Sequence, residues 1–394
     1  MLYDPSRHEP PAGPAWDEGR VCAAIAEIVA GTETAFAGDE LWPPHPLDLE
    51  DGPLERVKSL YLGAAGVLWA LHELERLGRV ELRRDWGDVA VRLLDGYRAE
   101  PDFQDVVDGP VPSLWAGEAG ILLVAHTLAP ARWQEERLLE VVRANADNPT
   151  WELMWGSPGT MLAAGVMHER TGGEAWRAAW EASADLLWDR WREGLWEQSL
   201  YGSRLHILGP AHGFAGNVLA LARGGLLPAA RRSELERRTL ATLERHALRE
   251  DGLAQWPPSL EPSSVEGRVQ WCHGAPGIVA SLATLAPDEE SLGELLRAGG
   301  ELTWRAGPLR KGASLCHGTA GNGYALLKLF ERTGDELWLD RARTFAMHAI
   351  GQVRHAASVH GQQRHSLWTG DPGTALYLAS CLAGTASFPT IDRF

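Results

Sequence analysis

Two kinds of apolar pattern alternate along the chain, and their alternation predicts pairs of helices. Seven short segments are nearly uncharged and apolar on most sides, which is typical of helices buried all round; they span residues 67–75, 121–128, 161–168, 217–222, 278–285, 323–330 and 374–382. Seven charged segments with a single apolar stripe precede or separate them, as expected of helices at a surface; they span residues 18–30, 86–97, 134–145, 175–191, 230–246, 291–302 and 336–350. No convincing run has the period of two that marks a half-buried strand. The pattern therefore favours an all-α fold.

A Gly-x-x-Gly pair comes directly before each of the apolar segments. One such pair is a weak signal because glycines are common in turns, but seven copies that lead into similar segments indicate an internal repeat. Glycine allows backbones to approach closely where helix ends converge, and unpaired N–H groups at such ends favour a negative charge. We therefore predict an α/α toroid (barrel) of seven inner and seven outer helices, with a site at one mouth. The pairs are Gly63/Gly66, Gly117/Gly120, Gly156/Gly159, Gly213/Gly216, Gly274/Gly277, Gly318/Gly321 and Gly370/Gly373.

A closed ring needs all of its repeats, so we expect residues 1–394 to form a single toroid domain, with residues 1–15 as an irregular N-terminal arm. The net charge of −16 is spread over the amphipathic segments, and the one dense basic run, 231–238, contains two glutamates. A nucleic-acid partner is therefore not expected. No leader and no apolar stretch of roughly 20 residues is present, and four cysteines are too few for a disulfide framework, so we expect a cytoplasmic protein without membrane contact.

Two of the glycine turns carry a Cys-His dipeptide, Cys272-His273 and Cys316-His317. Equivalent positions of neighbouring repeats face each other across a ring, so we expect both cysteines and one or both histidines to converge. Two thiolates and one imidazole hold Zn²⁺ and leave its fourth tetrahedral position for water or substrate. His273 is the candidate that would close this position, and its participation would weaken the case for a catalytic ion.

His212 occupies the place before the glycine pair of the fourth repeat and is the candidate for proton transfer, although a lone histidine is more often a hydrogen-bonded turn or core residue.

Other histidines receive no role: His72, His126 and His168 fall in predicted helices, and His355, His360 and His365 in a polar loop. Cys22 and Cys381 are expected to pack as small apolar side chains. Tryptophans at the turns can fill the core or wall a cleft; they are Trp115, Trp155, Trp271 and Trp368.

These motifs resemble the lanthionine synthetase C-like family along the whole chain. The most specific are AHGFAG at 211–216, WCHGAPG at 271–277 and CHGTAGN at 316–322. The resemblance implies a seven-repeat α/α toroid, zinc held by Cys272, Cys316 and His317, and a catalytic role for His212. Family members join a thiol to dehydroalanine or dehydrobutyrine, either within a lantibiotic precursor or, in the stand-alone branch, by adding glutathione to proteins.

The details of the resemblance lean toward the glutathione-using branch. Lys311, five residues before Cys316, resembles a glutathione-binding lysine, although a solvated loop lysine is equally compatible with the sequence. Cyclases of the family carry an aspartate where this chain has Ser113, and Glu152 either supplies that carboxylate or caps its turn. We therefore expect zinc-dependent addition of glutathione to dehydroamino acids in a peptide or protein partner. The alternatives are a lantibiotic cyclase and a non-catalytic, zinc-stabilised peptide-binding module.

Overall fold

The computed structural model describes residues 2–11, 13–48, 56–104, 106, 109–262 and 267–394. Fourteen α-helices occur in these residues, and in chain order they alternate between an outer and an inner position, beginning with an outer one. They are α1 (Glu18–Ala35), α2 (Ala64–Arg76), α3 (Gly87–Ala99), α4 (Glu118–Leu128), α5 (Arg132–Ala144), α6 (Ser157–Thr171), α7 (Glu174–Asp189), α8 (Phe214–Ala222), α9 (Ala229–His246), α10 (Ala275–Leu282), α11 (Glu290–Ala306), α12 (Thr319–Thr333), α13 (Glu336–His360) and α14 (Asp371–Ala383).

Burial follows the two sequence patterns. In the inner helix α4, residues 118–125 are all buried, whereas the outer helix α9 buries only Leu235, Thr239, Thr242 and Leu243, which lie on one face. Helix α14 packs against both α1 and α2, so the last repeat meets the first. The prediction of a toroid with seven inner and seven outer helices is confirmed.

The second glycine of every pair lies where its own repeat and the preceding repeat touch. A Cβ on Gly159 would overlap the carbonyl oxygen of Leu153 and lie 3.5 Å from the side chain of Leu114 in the preceding repeat. At all seven positions, an added Cβ would meet the carbonyl oxygen of the residue six places earlier and a side chain of the preceding repeat. For Gly66 that side chain is Leu367 of the last repeat. Glycine is therefore required here because the backbones approach too closely for any side chain.

The inner helices begin earlier than the sequence pattern predicted. The first glycine of each pair is the N-cap residue and the second lies inside the first helical turn, as with Gly156 and Gly159 of α6. The expectation of unpaired N–H groups at the mouth was also wrong for most repeats, because the first helical N–H donates to a carbonyl seven residues earlier. These bonds are Ala64 to Val57, Glu118 to Val111, Phe214 to Ile207, Thr319 to Gly312 and Asp371 to Arg364, at 2.8–3.0 Å.

Three further features differ from the sequence interpretation. Two antiparallel hairpins of three-residue strands connect outer to inner helices, β1 (Gln198–Leu200) with β2 (Ser203–Leu205) and β3 (Leu248–Glu250) with β4 (Leu253–Gln255). Strands this short leave no readable alternation. Helix α13 continues to residue 360, so His355 and His360 are helical rather than in a loop, and Cys22 is exposed rather than packed.

The described residues before the first α-helix have little regular structure, and the single domain with residues 1–15 as its arm stays a prediction. A single 3₁₀ turn spans Pro5–Arg7, and the first α-helix begins at Glu18. No helix among the described residues is long and apolar enough to cross a bilayer.

Replacing Gly159 by alanine tests the ring packing. Because its new methyl group would collide with the Leu153 carbonyl, we expect Gly159→Ala to lower the free energy of unfolding by about 2 kcal/mol or more. Gly165 of the same helix is a matched control, since a Cβ there meets nothing within 4 Å. Gly165→Ala should be neutral or stabilise by up to ~1 kcal/mol because alanine favours helix. Chemical denaturation measures both, and equal effects would contradict the packing argument.

Candidate metal centre

The residue two places before each glycine pair defines the rim of the toroid, and we call this the rim position. The seven rim residues are Tyr61, Trp115, Met154, Ala211, Cys272, Cys316 and Trp368. The backbone N–H of a rim residue donates to the carbonyl of the next one around the ring at five of the seven steps, at 2.8–3.2 Å. The bond from Trp368 to Tyr61 links the last repeat to the first. Side chains from different repeats are thereby brought to one mouth.

Cys272 and Cys316 are neighbours on this rim, joined by the bond from the Cys272 N–H to the Cys316 carbonyl at 3.0 Å. The Sγ atoms of both cysteines and a ring nitrogen of His317 lie within 4.8 Å of one another. The two thiols are buried and His317 is half-buried, so the group reaches solvent through His317 more than through the cysteines. Two sulfurs and one imidazole nitrogen are a donor set suited to a borderline-soft divalent metal. The three residues converge as the sequence predicted and can hold a metal ion.

The two thiols shift each other's pKa in opposite directions. A hydrogen bond from Cys316 lowers the pKa of Cys272 against the opposing effect of burial, and the same bond raises the pKa of Cys316. Gln270 donates from Nε2 to Cys272 Sγ at 3.0 Å, which also favours the thiolate at that residue. A thiolate held in place by such a donor is prepared to bind a cation.

His273 is not part of this group. Its ring nitrogens do not join the cluster of ligand atoms within 4.8 Å, and burial lowers the pKa of the imidazole. Its Nδ1 is buried and has no hydrogen-bond partner in the described part of the chain. Among the described residues, no fourth His, Cys, Asp or Glu joins this group of ligand atoms.

His212 lies beside this centre and is held by Glu152. The imidazole Nδ1 is 2.8 Å from Glu152 Oε2, although 60 residues separate the two in the chain. Burial alone would lower the pKa of His212, but the hydrogen bond and the charge of Glu152, with the charge of Cys272, raise it above its ordinary value. An ionised carboxylate only accepts, so Nδ1 carries the proton of this hydrogen bond.

Glu152 also caps its own turn, in addition to its contact with His212. Its carboxylate is fully buried and accepts the backbone N–H groups of Met154 and Trp155 at 2.8 and 2.6 Å. Ser113 occupies the same place in the second repeat, where its Oγ accepts the N–H of Ala116 at 2.8 Å. The position is thus a turn cap in both repeats, and the longer side chain of Glu152 reaches His212 as well.

Three cationic or hydroxyl groups surround the cysteines. The ammonium of Lys311 is exposed, yet its charge acts on the Cys316 thiol, so it lies near the site. Tyr61 and Arg268 were missed by the sequence reasoning. The Tyr61 hydroxyl hydrogen-bonds Cys316, and the Arg268 guanidinium is close enough to Cys272 for their charges to interact. Tyr61 could have been found from the sequence, because it holds the rim position that the cysteines hold in their repeats.

A cluster of buried aromatic side chains includes two of the rim residues, Trp115 and Trp368. Trp115, Trp271 and Trp368 are buried with ring centroids 4.6–6.0 Å apart, and Phe388 from the C-terminal segment packs on Trp271 and Trp368 at 5.3 and 5.5 Å. These side chains fill the core rather than wall a cleft. Trp155 differs, since it is half-buried and donates from its indole nitrogen to the hydroxyl of the exposed Tyr201 at 3.3 Å.

Two known proteins are similar in sequence to part of this chain. "Glutathione S-transferase LANCL1" of Danio rerio is 37% identical over 128 residues, 32% of this chain and 31% of that protein. "LanC-like protein GCL1" of Arabidopsis thaliana is 33% identical over 122 residues, 29% of this chain and 28% of that protein. The chain therefore spans less than a third of the length of either relative in these matches.

A solved structure of nisin cyclase superposes on 92% of this chain and 93% of that chain with a TM-score of 0.60 at 16% identity, which shows a shared fold. The profile described as "Lanthionine synthetase C-like protein" matches residues 56–393, the region that contains all seven glycine pairs and the Cys-His motifs. This chain belongs to the lanthionine synthetase C-like family.

Proposed function

We propose that the protein is a zinc-dependent enzyme that joins a thiol to the β-carbon of dehydroalanine or dehydrobutyrine in a peptide or protein. The observation that carries the proposal is the juxtaposition of the Cys272, Cys316 and His317 group with the Glu152–His212 pair at one mouth. Zinc bound by the three residues supplies the positive charge that lowers the pKa of a substrate thiol from about 8.5 and so provides a thiolate at neutral pH.

The chain's own residues supply the proton that completes the addition. When sulfur adds to the β-carbon, the electron pair of the double bond moves toward the neighbouring carbonyl, and the α-carbon must then receive a proton. His212 is suited to give it, because Glu152 raises the pKa of the imidazole and directs Nε2 away from itself. Glu152 thereby acts as a positioning residue through His212.

Arg268 is the candidate for stabilising the negative charge on the carbonyl oxygen. Its Nε is buried without a hydrogen-bond partner among the described residues, and its guanidinium lies near Cys272. A preorganised donor aimed where charge develops lowers the barrier more than one that binds the ground state. The helix N-termini are poorer candidates than the sequence suggested, because loop carbonyls already accept most of their first N–H groups.

Glutathione is the thiol that we favour. The relative from Danio rerio is named as a glutathione S-transferase, and Lys311 offers an exposed ammonium near the site for a carboxylate. The absence of an aspartate at Ser113 does not decide between glutathione addition and peptide cyclisation, since Glu152 already partners His212. A lantibiotic cyclase therefore remains the second candidate, and the binding module without catalysis the third.

Metal analysis tests the proposed centre. We expect about one zinc per chain in the purified protein and its loss from Cys272→Ala or Cys316→Ala, because each removes a thiolate ligand. Cys381→Ala is the matched control, since Cys381 is also a buried thiol but lies in α14 outside the ligand group. Full zinc retention in both ligand variants would exclude the site.

The choice of thiol is tested by incubating the zinc protein with a dehydroalanine peptide and glutathione and following the mass of the peptide. We expect the glutathione adduct to form faster than without enzyme. Lys311→Ala should raise the KM for glutathione about tenfold or more with zinc content unchanged, because a charge-assisted contact contributes ~1.5–3 kcal/mol. Cyclisation of a cysteine-containing peptide without glutathione addition would favour the cyclase, and peptide binding with no thioether would favour the binding module.

Proton delivery is tested at His212 and Glu152. His212→Asn should keep its zinc yet turn over roughly 10²- to 10⁴-fold more slowly, as is typical when a general acid is lost. The acid must be protonated, so wild-type activity should fall as pH rises through the raised pKa of His212. Glu152→Gln removes the charge that raises this pKa, and the fall should move to lower pH. Zinc loss in His212→Asn, or an unchanged pH profile in Glu152→Gln, would contradict these roles.

A further inference from the structure

The N-terminal residues 2–11, which we call the strap, are hydrogen-bonded to the loop that follows α11. The Glu9 N–H donates to the Pro308 carbonyl at 2.8 Å, and the Arg310 N–H donates to the Arg7 carbonyl at 3.0 Å. His8 is buried and donates from Nδ1 to the Gly307 carbonyl at 2.9 Å, while Arg310 Nε donates to the His8 carbonyl at 2.9 Å. Four hydrogen bonds thus fix residues 307–310, the start of the loop that leads through Lys311 to Cys316.

Glu9 joins the strap to α13 and to the same loop. Its carboxylate accepts from His348 Nε2 at 2.7 Å and from Gln352 Nε2 at 3.3 Å. Gln352 also donates to the Leu309 carbonyl at 2.7 Å, and its amide oxygen accepts from Thr319 Oγ1 at 2.7 Å. Thr319 is the first residue of α12, three residues after Cys316. The network therefore reaches both ends of the cysteine-bearing turn.

The other end of the strap lies against the segment that leads to Cys272. A Cβ on Gly267 would come 3.7 Å from the Asp4 nitrogen, so the two backbones run side by side. Gln255 Nε2 donates to the Arg268 carbonyl at 3.1 Å and approaches the Leu2 carbonyl at 3.5 Å. The strap thus contacts the segments that precede both cysteines.

We propose that the strap holds the two cysteine-bearing segments in their relative positions, and that Glu9 and His348 are positioning residues for the centre. Residues 307–315 contain no α-helix or strand, and backbone of this kind opens readily unless it is tied down. Groups that orient metal ligands commonly change metal affinity when they are lost. The consequence for metal rests on the proposed function, whereas the restraint on the loop does not.

The test compares Glu9→Ala with Glu301→Ala. Glu301 pairs with Arg341 of α13 as Glu9 pairs with His348 of α13, and the side-chain exposures match, 39% and 13% against 33% and 12%. In the metal-free protein, amide hydrogen exchange across residues 307–315 should be about tenfold faster in Glu9→Ala and unchanged in Glu301→Ala. The zinc Kd, from competition with a chromophoric chelator, should weaken about tenfold only in Glu9→Ala. Glu9→Gln keeps an acceptor for His348 and should restore most of both.

Equal loop exchange in Glu9→Ala and Glu301→Ala would overturn the proposal. Faster exchange in Glu9→Ala with an unchanged zinc Kd would support the restraint on the loop but overturn the positioning role. The loop would then move without affecting the metal ligands. A wild-type protein that binds no zinc would instead exclude the proposed metal centre, and the exchange comparison in metal-free protein would decide on the strap by itself.

Discussion

The close approach of seven backbone turns around one mouth is the constraint on which the rest of the molecule depends. Each turn contacts the turn before it through a glycine that has no room for a Cβ, and five of the seven rim steps are joined by backbone hydrogen bonds. These contacts involve main-chain atoms, so the rim side chain can vary without loss of the ring. Tyr61, Cys272 and Trp368 occupy equivalent positions for this reason. The scaffold is repetitive, and its chemistry is set by which side chain each repeat presents.

The candidate metal centre follows from that arrangement because neighbouring repeats place equivalent residues side by side. Cys272 and Cys316 are far apart in the chain but adjacent on the rim, and the bond between their backbones sets the spacing of their thiols. Burial would make two adjacent thiolates costly without a cation, and here a hydrogen bond between the thiols and a donor from Gln270 favour one thiolate. A divalent ion held by this group would favour the thiolate form of both cysteines.

Charged and polar groups outside the rim positions surround the candidate centre. Glu152 contacts His212, and Arg268 and Lys311 bring positive charge from the loops to the two cysteines. The loops that carry the cations have little regular structure of their own and depend on neighbouring segments for their position.

The sequence alone determined the helix types, the seven repeats and the pairing of Cys272 with Cys316. Apolar periodicity and motif spacing can be read locally along the chain, and in a closed ring the equivalent positions of neighbouring repeats lie side by side. It also marked His212 and Glu152 separately. Only the tertiary structure joined those two, since their contact depends on the length and direction of side chains from different turns. It likewise decided that loop carbonyls cap the inner helices and that Glu9 reaches His348, because both rest on backbone approaches between segments that no periodicity records.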